Sequence, residues 1–251
     1  MKLWFDVGMF TLRRIQSSLR NPVFLFMGIA VPIVYLALFA PLLKTLIGAS
    51  TISSVLALFV PGMLPIIAFN TGLFTGFSMI DEVLAGVIER FRVTPVSRFA
   101  ILFGPVLFNV CTTLVQSLLF ILIALPFGFR PNLLGMFLLF ILLALLTCIT
   151  STFGNALSII VKSDEKYAPI VHGINLPILL LSGTLLPMSL APTWLSALAH
   201  CNPVFYTVEA ARALALGDFA SINVVLAFAI LIPFAIMTTA WATKVFRKAI
   251  T

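Results

Sequence analysis

The densest charge in the chain is Glu89, Arg90, Arg92 and Arg98, four ionic side chains within ten residues, set on both sides of a Thr94-Pro95 break. Long apolar runs flank them. One carboxylate among three guanidiniums is suited to gripping a complementary protein surface. The plainer alternative is a solvated loop whose arginines only set membrane topology. A second charged pair, Glu209 and Arg212, is spaced to meet on one helix face. Either it fixes its segment against the rest of the protein and helps close a gate there, or it is a surface pair of little energetic weight.

Other chemistry is sparse. Cys111, Cys148 and Cys201 lie far apart, without metal-ligand spacing, so neither a metal site nor a disulfide framework is expected. There is no His-Glu metal motif, serine–histidine pair or phosphate-binding glycine loop. Ser182-Gly183 has no base near it in sequence. The chain is therefore not expected to be an enzyme or to bind a cofactor. His172 is the one group inside an apolar run that could titrate, and a lone histidine there reads more readily as a helix contact than as a proton relay.

The elements that must position these residues follow from composition. The 251 residues are 61% hydrophobic and 9% charged, whereas soluble domains carry roughly 25% charged residues. The fold class expected is an all-α integral membrane protein forming one domain over 1–251. Residues 1–20 predict an interfacial helix, with Trp4, Phe5, Leu12, Ile15 and Leu19 on one side and its arginines toward anionic lipid. The opening stretch MKLWFDVGMF carries Asp6 and reads as mature sequence, not as a signal peptide. Six spans are expected, at Val23–Leu43, Val55–Phe77, Phe99–Leu125, Leu133–Val161, Tyr167–Leu181 and Ile222–Thr243. Pro61-Gly62 and Pro65 should kink the second span without breaking it. Asp81 to Arg98 is a charged elbow between spans two and three.

Residues 183–217 are apolar but broken by Pro187, Pro192 and Pro203. Two helices are expected there, 192–200 and 203–216, the second capped by Asn202, opened by Pro203 and stopped by Gly217. Each is shorter than the roughly 20 residues a span needs, so the pair reads as a re-entrant helical hairpin between spans five and six.

No Asp, Glu, Lys or Arg lies inside the six expected spans. Ion- or proton-coupled transport usually needs such groups at membrane depth, so the energy for any transport should come from elsewhere. Asn70, Asn109, Gln116, Asn155 and Asn175 are the interior polar set, and they read as helix-to-helix glue before substrate contacts. The net charge of +7 is scattered over short loops without an arginine–aromatic platform. It points to lipid headgroups, not to nucleic acid. Alternating flanks place twelve of the 15 Lys and Arg residues on one side and only Lys44, Arg130 and Arg212 on the other. By the positive-inside rule both termini and the elbow are cytoplasmic, and the hairpin is extracytoplasmic.

With these features in view, the chain resembles the permease subunit of a type-2 ATP-binding-cassette (ABC) exporter. The elbow is similar to that family's Gly-x-x-Glu-Arg-x-x-x-Thr-Pro-x-Ser-Arg stretch, here Gly86, Glu89, Arg90, Thr94, Pro95, Ser97 and Arg98. It differs at Val87-Ile88, where the family often has Thr-Leu. The hairpin resembles the family's second stretch, which ends in an Asn-Pro, then an aromatic, then an Arg before a Gly, here Asn202, Pro203, Tyr206, Glu209, Arg212 and Gly217. The resemblance implies that the elbow, Arg92 included, docks on a separate ABC ATPase holding ATP and magnesium. It also implies pairing with a second permease copy or paralogue. Thr94 would cap a helix starting at Pro95. Export of an amphiphile (a drug-like compound, lipid or lipid-linked glycan) across a prokaryotic inner membrane is the activity implied. The alternatives are a membrane sensor or immunity module, and a passive flippase or channel.

Overall fold

Long apolar runs with few breakers coil into long helices, because a backbone among hydrocarbon must satisfy its own hydrogen bonds. The computed structural model describes residues 8, 9, 11, 12, 14–16, 23–46, 51–86, 98–185, 188 and 191–250, and every regular element among them is helical. The helices are α1 (Val23–Leu46), α2 (Ile52–Leu84), α3 (Arg98–Ala124), α4 (Leu133–Val161), α5 (Asp164–Leu181), α6 (Thr193–Ala199), α7 (Pro203–Leu216) and α8 (Ile222–Ile250). A 3-10 turn, Leu125–Phe127, ends in Gly128 at φ 97° and turns the chain from α3 toward α4. The N-terminal residues described, Gly8, Met9, Thr11, Leu12 and Arg14 to Gln16, are also helical.

Among the described residues, four stretches are long and apolar enough to cross a membrane: Ile52–Leu84, Leu102–Phe127, Leu133–Val161 and Ile222–Lys248. These correspond to the second, third, fourth and sixth expected spans. α1 is 24 residues long and carries two prolines, and a shorter apolar stretch, Gly28–Phe39, lies within it. α5 is 18 residues long and opens with Asp164 and Glu165.

Several boundaries differ from the sequence expectation. α2 runs on through Asp81 and Glu82, residues assigned above to the elbow, because nothing local stops a helix where its hydrophobicity ends. It stops at Ala85-Gly86, where Gly86 turns left-handed at φ 66°. α8 likewise continues past Thr243 through Lys244, Arg247 and Lys248. α5 starts three residues early, at Asp164. Pro61 and Pro65 sit inside an unbroken α2, as expected.

α2 is the centre of the bundle: 72% of its span is buried, against 28% for α8. α4, α7, α3, α1 and α5 all pack on it. Close approach is achieved with glycine. A Cβ at Gly72 would collide with Thr150 Oγ1, and one at Gly76 with the Tyr167 hydroxyl. That hydroxyl donates to the Leu73 carbonyl at 2.8 Å and fastens the start of α5 to α2. Small residues at four-residue spacing let membrane helices meet backbone to backbone.

Polar side chains bridge the same interfaces. The Asn109 amide donates to Thr75 and to Ser151, both at 2.8 Å, joining α3 to α2 and α4. Thr71 donates to Gln116 at 2.9 Å, and the hydroxyls of Thr147 and Thr113 are 3.1 Å apart. Asn109 and Gln116 therefore serve as the expected glue. Among the described residues, Asn70, Asn155 and Asn175 each leave a buried amide oxygen without a partner, and Asn155 leaves its nitrogen so as well.

Candidate functional site

The helix pair α6–α7 meets the bundle where α2 begins. Asn202 builds the entry to α7: its side-chain oxygen accepts from the Val204 N–H at 3.0 Å, and its amide donates to the Ile178 carbonyl at 3.0 Å. One residue thus caps α7 and ties it to the end of α5. Pro203 occupies the first turn, where its missing N–H costs nothing. Gly217 ends α7 in the left-handed region at φ 84°. Tyr206 donates to the His200 carbonyl at 3.1 Å, and its ring packs edge-on against Phe205, 5.4 Å between centroids. Toward the other end of α7, Gly135 of α4 lies so close that a Cβ there would strike the Leu214 carbonyl.

Arg212 is the hub of this end. Its side chain is 8% exposed, and its guanidinium reaches three separate segments. Nη1 donates to Glu209 Oε1 at 2.8 Å, closing the pair on α7. Nε donates to the Leu58 carbonyl of α2 at 3.2 Å. Nη2 donates to the Gly183 carbonyl at 2.7 Å and to that of Thr184 at 3.4 Å, in the turn after α5. Gly183 sits at φ 73°, and the Ser182 and Thr184 hydroxyls, 2.5 Å apart, brace the same turn. Gly62 makes room: a Cβ on it would lie 3.2 Å from Arg212 Nη2. A planar fork with five donors suits this convergence, whereas a lysine has one point charge. Burial lowers the guanidinium's pKa from its usual value, and the Glu209 carboxylate opposes that shift. The pair is a buried tie between three elements, not a surface ornament.

Of the six residues expected in this stretch, α7 brings Glu209 and Arg212 into contact, while Asn202, Pro203 and Tyr206 build its start and Gly217 ends it about 20 Å away. The acceptors on Leu58, Gly183 and Thr184 could not be found from sequence, since backbone carbonyls carry no residue signature. The one available signal was Gly62 directly after Pro61, a small residue at an expected kink.

At the far end of α2 lies the elbow. Gly86 and the first residue of α3, Arg98, bound it. Glu89, Arg90, Arg92, Thr94, Pro95 and Ser97 lie outside the described residues, as does the helix start expected at Pro95. What the structure adds is a contact at its base. Arg14 of the N-terminal helix forms an ion pair with Glu82, four residues before Gly86. Thr11, buried, donates to the Gly104 carbonyl of α3 at 3.3 Å. The N-terminal helix is therefore tied to both helices that frame the elbow. At Arg14 this corrects the expectation that the arginines turn to lipid, since it turns to a carboxylate instead; Arg13 and Arg20 lie outside the described residues. Leu58 and Glu82 are 24 residues apart on one continuous helix, about 36 Å at 1.5 Å per residue. α2 is thus a single continuous helix running from the Arg212 hub to the base of the elbow.

Among the described residues no group of three His, Cys, Asp or Glu side chains could hold a metal ion. His172 is exposed on α5, its ring 5.7 Å from that of Phe74.

Residues 6–216, a stretch that includes both the elbow and the whole of α7, match the family described as ABC-2 type transporter. The chain is 30% identical over 201 residues to the transport permease ycf38 of Cyanophora paradoxa, covering 77% of this chain and 68% of that one. It is 28% identical over 197 residues to the ycf38 permease of Porphyra purpurea, covering 77% and 68%. It is also 25% identical over 207 residues to the daunorubicin resistance ABC transporter permease protein DrrB1 of Streptomyces coeruleorubidus, covering 82% and 73%.

Proposed function

The chain belongs to the ABC-2 type transporter family, and from that premise we propose that it is the permease half of an ATP-driven exporter. The observation that carries this reading is the extent of the family match, which runs unbroken through the two charged stretches, the elbow and the helix pair. Six spans are proposed: the four long apolar helices together with α1 and α5. α6 and α7 form the re-entrant hairpin on the extracytoplasmic side. Both termini and the elbow face the cytoplasm of a prokaryotic inner membrane, as the distribution of lysine and arginine favours.

A separate ABC ATPase binds ATP and magnesium and docks on the elbow through Glu89, Arg90, Arg92 and Arg98. Gly86, Thr94, Pro95 and Ser97 shape that elbow. Two permeases, identical or paralogous, stand over two ATPases. A push on the elbow enters α2 at Glu82 and reaches the Arg212 hub through one helix, because a continuous helix resists bending better than a loop. Glu209 and Arg212 hold the hairpin closed over the bundle, and release of that hold opens the outer side. The cargo is an amphiphile, in keeping with the drug-resistance name of the Streptomyces relative.

The test is a mild-detergent pulldown from the native membrane, with mass spectrometry of what co-elutes. A near-stoichiometric soluble ATPase, lost when Glu89 and Arg90 are charge-reversed, is the expected result. In the assembled complex, Glu89→Lys should lower cargo-stimulated ATP hydrolysis while leaving membrane insertion intact. A clean elution without an ATPase, under conditions that preserve related complexes, would instead favour a sensor or a passive flippase.

A further inference from the structure

Behind α5 the bundle is not filled. α5 is fastened near its start by the Tyr167 hydroxyl on α2 and at its end by the Asn202 amide on the Ile178 carbonyl. Between these ties Ile174 and Ile178 of α5 line, together with residues of α2, α4 and α8, a cavity of about 230 Å³. Phe69 and Leu73 of α2, with Leu146 and Ile149 of α4, make its floor, and all four are buried. Ile178 of α5 and Phe234 of α8 stand at its more exposed side.

Among the described residues no polar atom reaches the cavity surface. Even Thr150, which lines it, donates its hydroxyl back to the Leu146 carbonyl at 3.1 Å. Water needs two to four polar partners to occupy a cavity, so this one excludes it. An apolar cavity of about 150 Å³ stays dry and takes up benzene, and this one is larger. Left empty, its aromatic and aliphatic walls would forgo dispersion contacts on one side. Its open side lies between α5 and α8, where Ile178 is half-buried and Phe234 exposed, and Leu176, Leu180, Ile236 and Met237 are exposed elsewhere on the same two helices. In a membrane, the hydrocarbon next to those residues is the acyl chain of a bilayer lipid.

We propose that this cavity is a lipid site, taking the methyl end of one phospholipid acyl chain inserted sideways between α5 and α8. The headgroup stays in the bilayer interface, since the cavity has nothing to bind it. The site lies within one chain and does not depend on the ATPase or on the nature of the cargo.

Photolabelling of the wild-type full chain tests this. The protein is reconstituted in phosphatidylethanolamine and phosphatidylglycerol vesicles containing a phospholipid with a diazirine near one chain's methyl end. After illumination the label is mapped by peptide mass spectrometry. Label on Phe69, Leu73, Leu146 or Ile149, well above that on Phe59, is the expected pattern. Phe59 is fully buried and does not line the cavity. Label confined to outward residues such as Leu176 and Ile236, with the floor no higher than Phe59, overturns the proposal. As a second arm, Ile149→Trp fills the cavity. It should abolish floor labelling and leave Leu176 and Ile236 unchanged, and floor labelling that survives in a folded Ile149→Trp protein also overturns the proposal.

Discussion

Arg212→Met is the most informative single change at the hairpin end. It deletes four hydrogen bonds at once, to Glu209, Leu58, Gly183 and Thr184. It also leaves the Glu209 carboxylate beside an apolar side chain. Removing one partner of a buried ion pair costs about 3–5 kcal/mol. Glu209 keeps 27% of its side chain exposed and can recover some water, so the lower end, about 3 kcal/mol, is the appropriate figure. At about 1.4 kcal/mol per factor of ten, the fraction of molecules with the α6–α7 pair detached should rise roughly a hundredfold. Arg212→Lys keeps the charge but loses the fork, and with it one or two carbonyl contacts. A loss of about 1.5 kcal/mol predicts a rise of roughly tenfold. The reporter is a cysteine at Ala211, fully buried on α7, in a background with Cys111, Cys148 and Cys201 replaced. The rate of its alkylation by a water-soluble maleimide, when opening is faster than labelling, tracks the open population. If Arg212→Met reacts within about threefold of its parent, the hub contributes less than about 0.7 kcal/mol and is not what holds the hairpin.

Four further outcomes can be measured. Gly135→Ala should lower the melting temperature of the purified chain, because its Cβ meets the Leu214 backbone carbonyl and overpacking of this kind costs about 1–3 kcal/mol; an unchanged melt would mean that α4 and α7 are not in close contact. Asn109→Leu severs the bridge from α3 to both Thr75 and Ser151, and polar membrane contacts of this type average about 0.6 kcal/mol each, so denaturation should show a loss of about 1 kcal/mol. Asn202→Ala removes a helix cap worth about 1 kcal/mol together with the tie to Ile178, and protease cleavage in the turn after α5 should speed up. Arg14→Glu should free the N-terminal helix from the elbow base, and the exchange Arg14→Glu with Glu82→Arg should restore it, as read by a disulfide engineered between Thr11 and Gly104; failure of the exchange to restore cross-linking would rule out the ion pair as the tie.

The Arg212 hub and the Arg14–Glu82 pair lie at opposite ends of α2. The proposed mechanism therefore needs little motion within the bundle itself. The glycine contacts of α2 with α4, and the Asn109 bridge, make that interface a close fit that resists gradual deformation. Movement is better accommodated at the ends, where polar side chains make the ties.

What the sequence alone settled was local. Helical class and membrane character followed from long uncharged apolar runs, since hydrocarbon leaves the backbone few alternatives. The start of α7 at Asn202-Pro203 and its stop at Gly217 were legible because a cap acts within one turn of its own residue. The Glu209–Arg212 pair was legible for the same reason, being three residues apart. Where α2 ends was not, because hydropathy reports the solvent and not the helix, and α2 continues past Met79 into Asp81 and Glu82.

Tertiary structure decided the rest. Arg212 finds its acceptor on Leu58 across 154 residues, and Arg14 finds Glu82 across 68. Among five interior amides of similar appearance, it is packing that makes Asn109 a three-helix bridge and leaves Asn155 unpartnered. The physical reason is that such partnerships depend on helix register. Register is set by the sum of many steric contacts along an interface, such as Gly72 on Thr150, Gly76 on Tyr167 and Gly135 on Leu214. No single residue's type carries that sum.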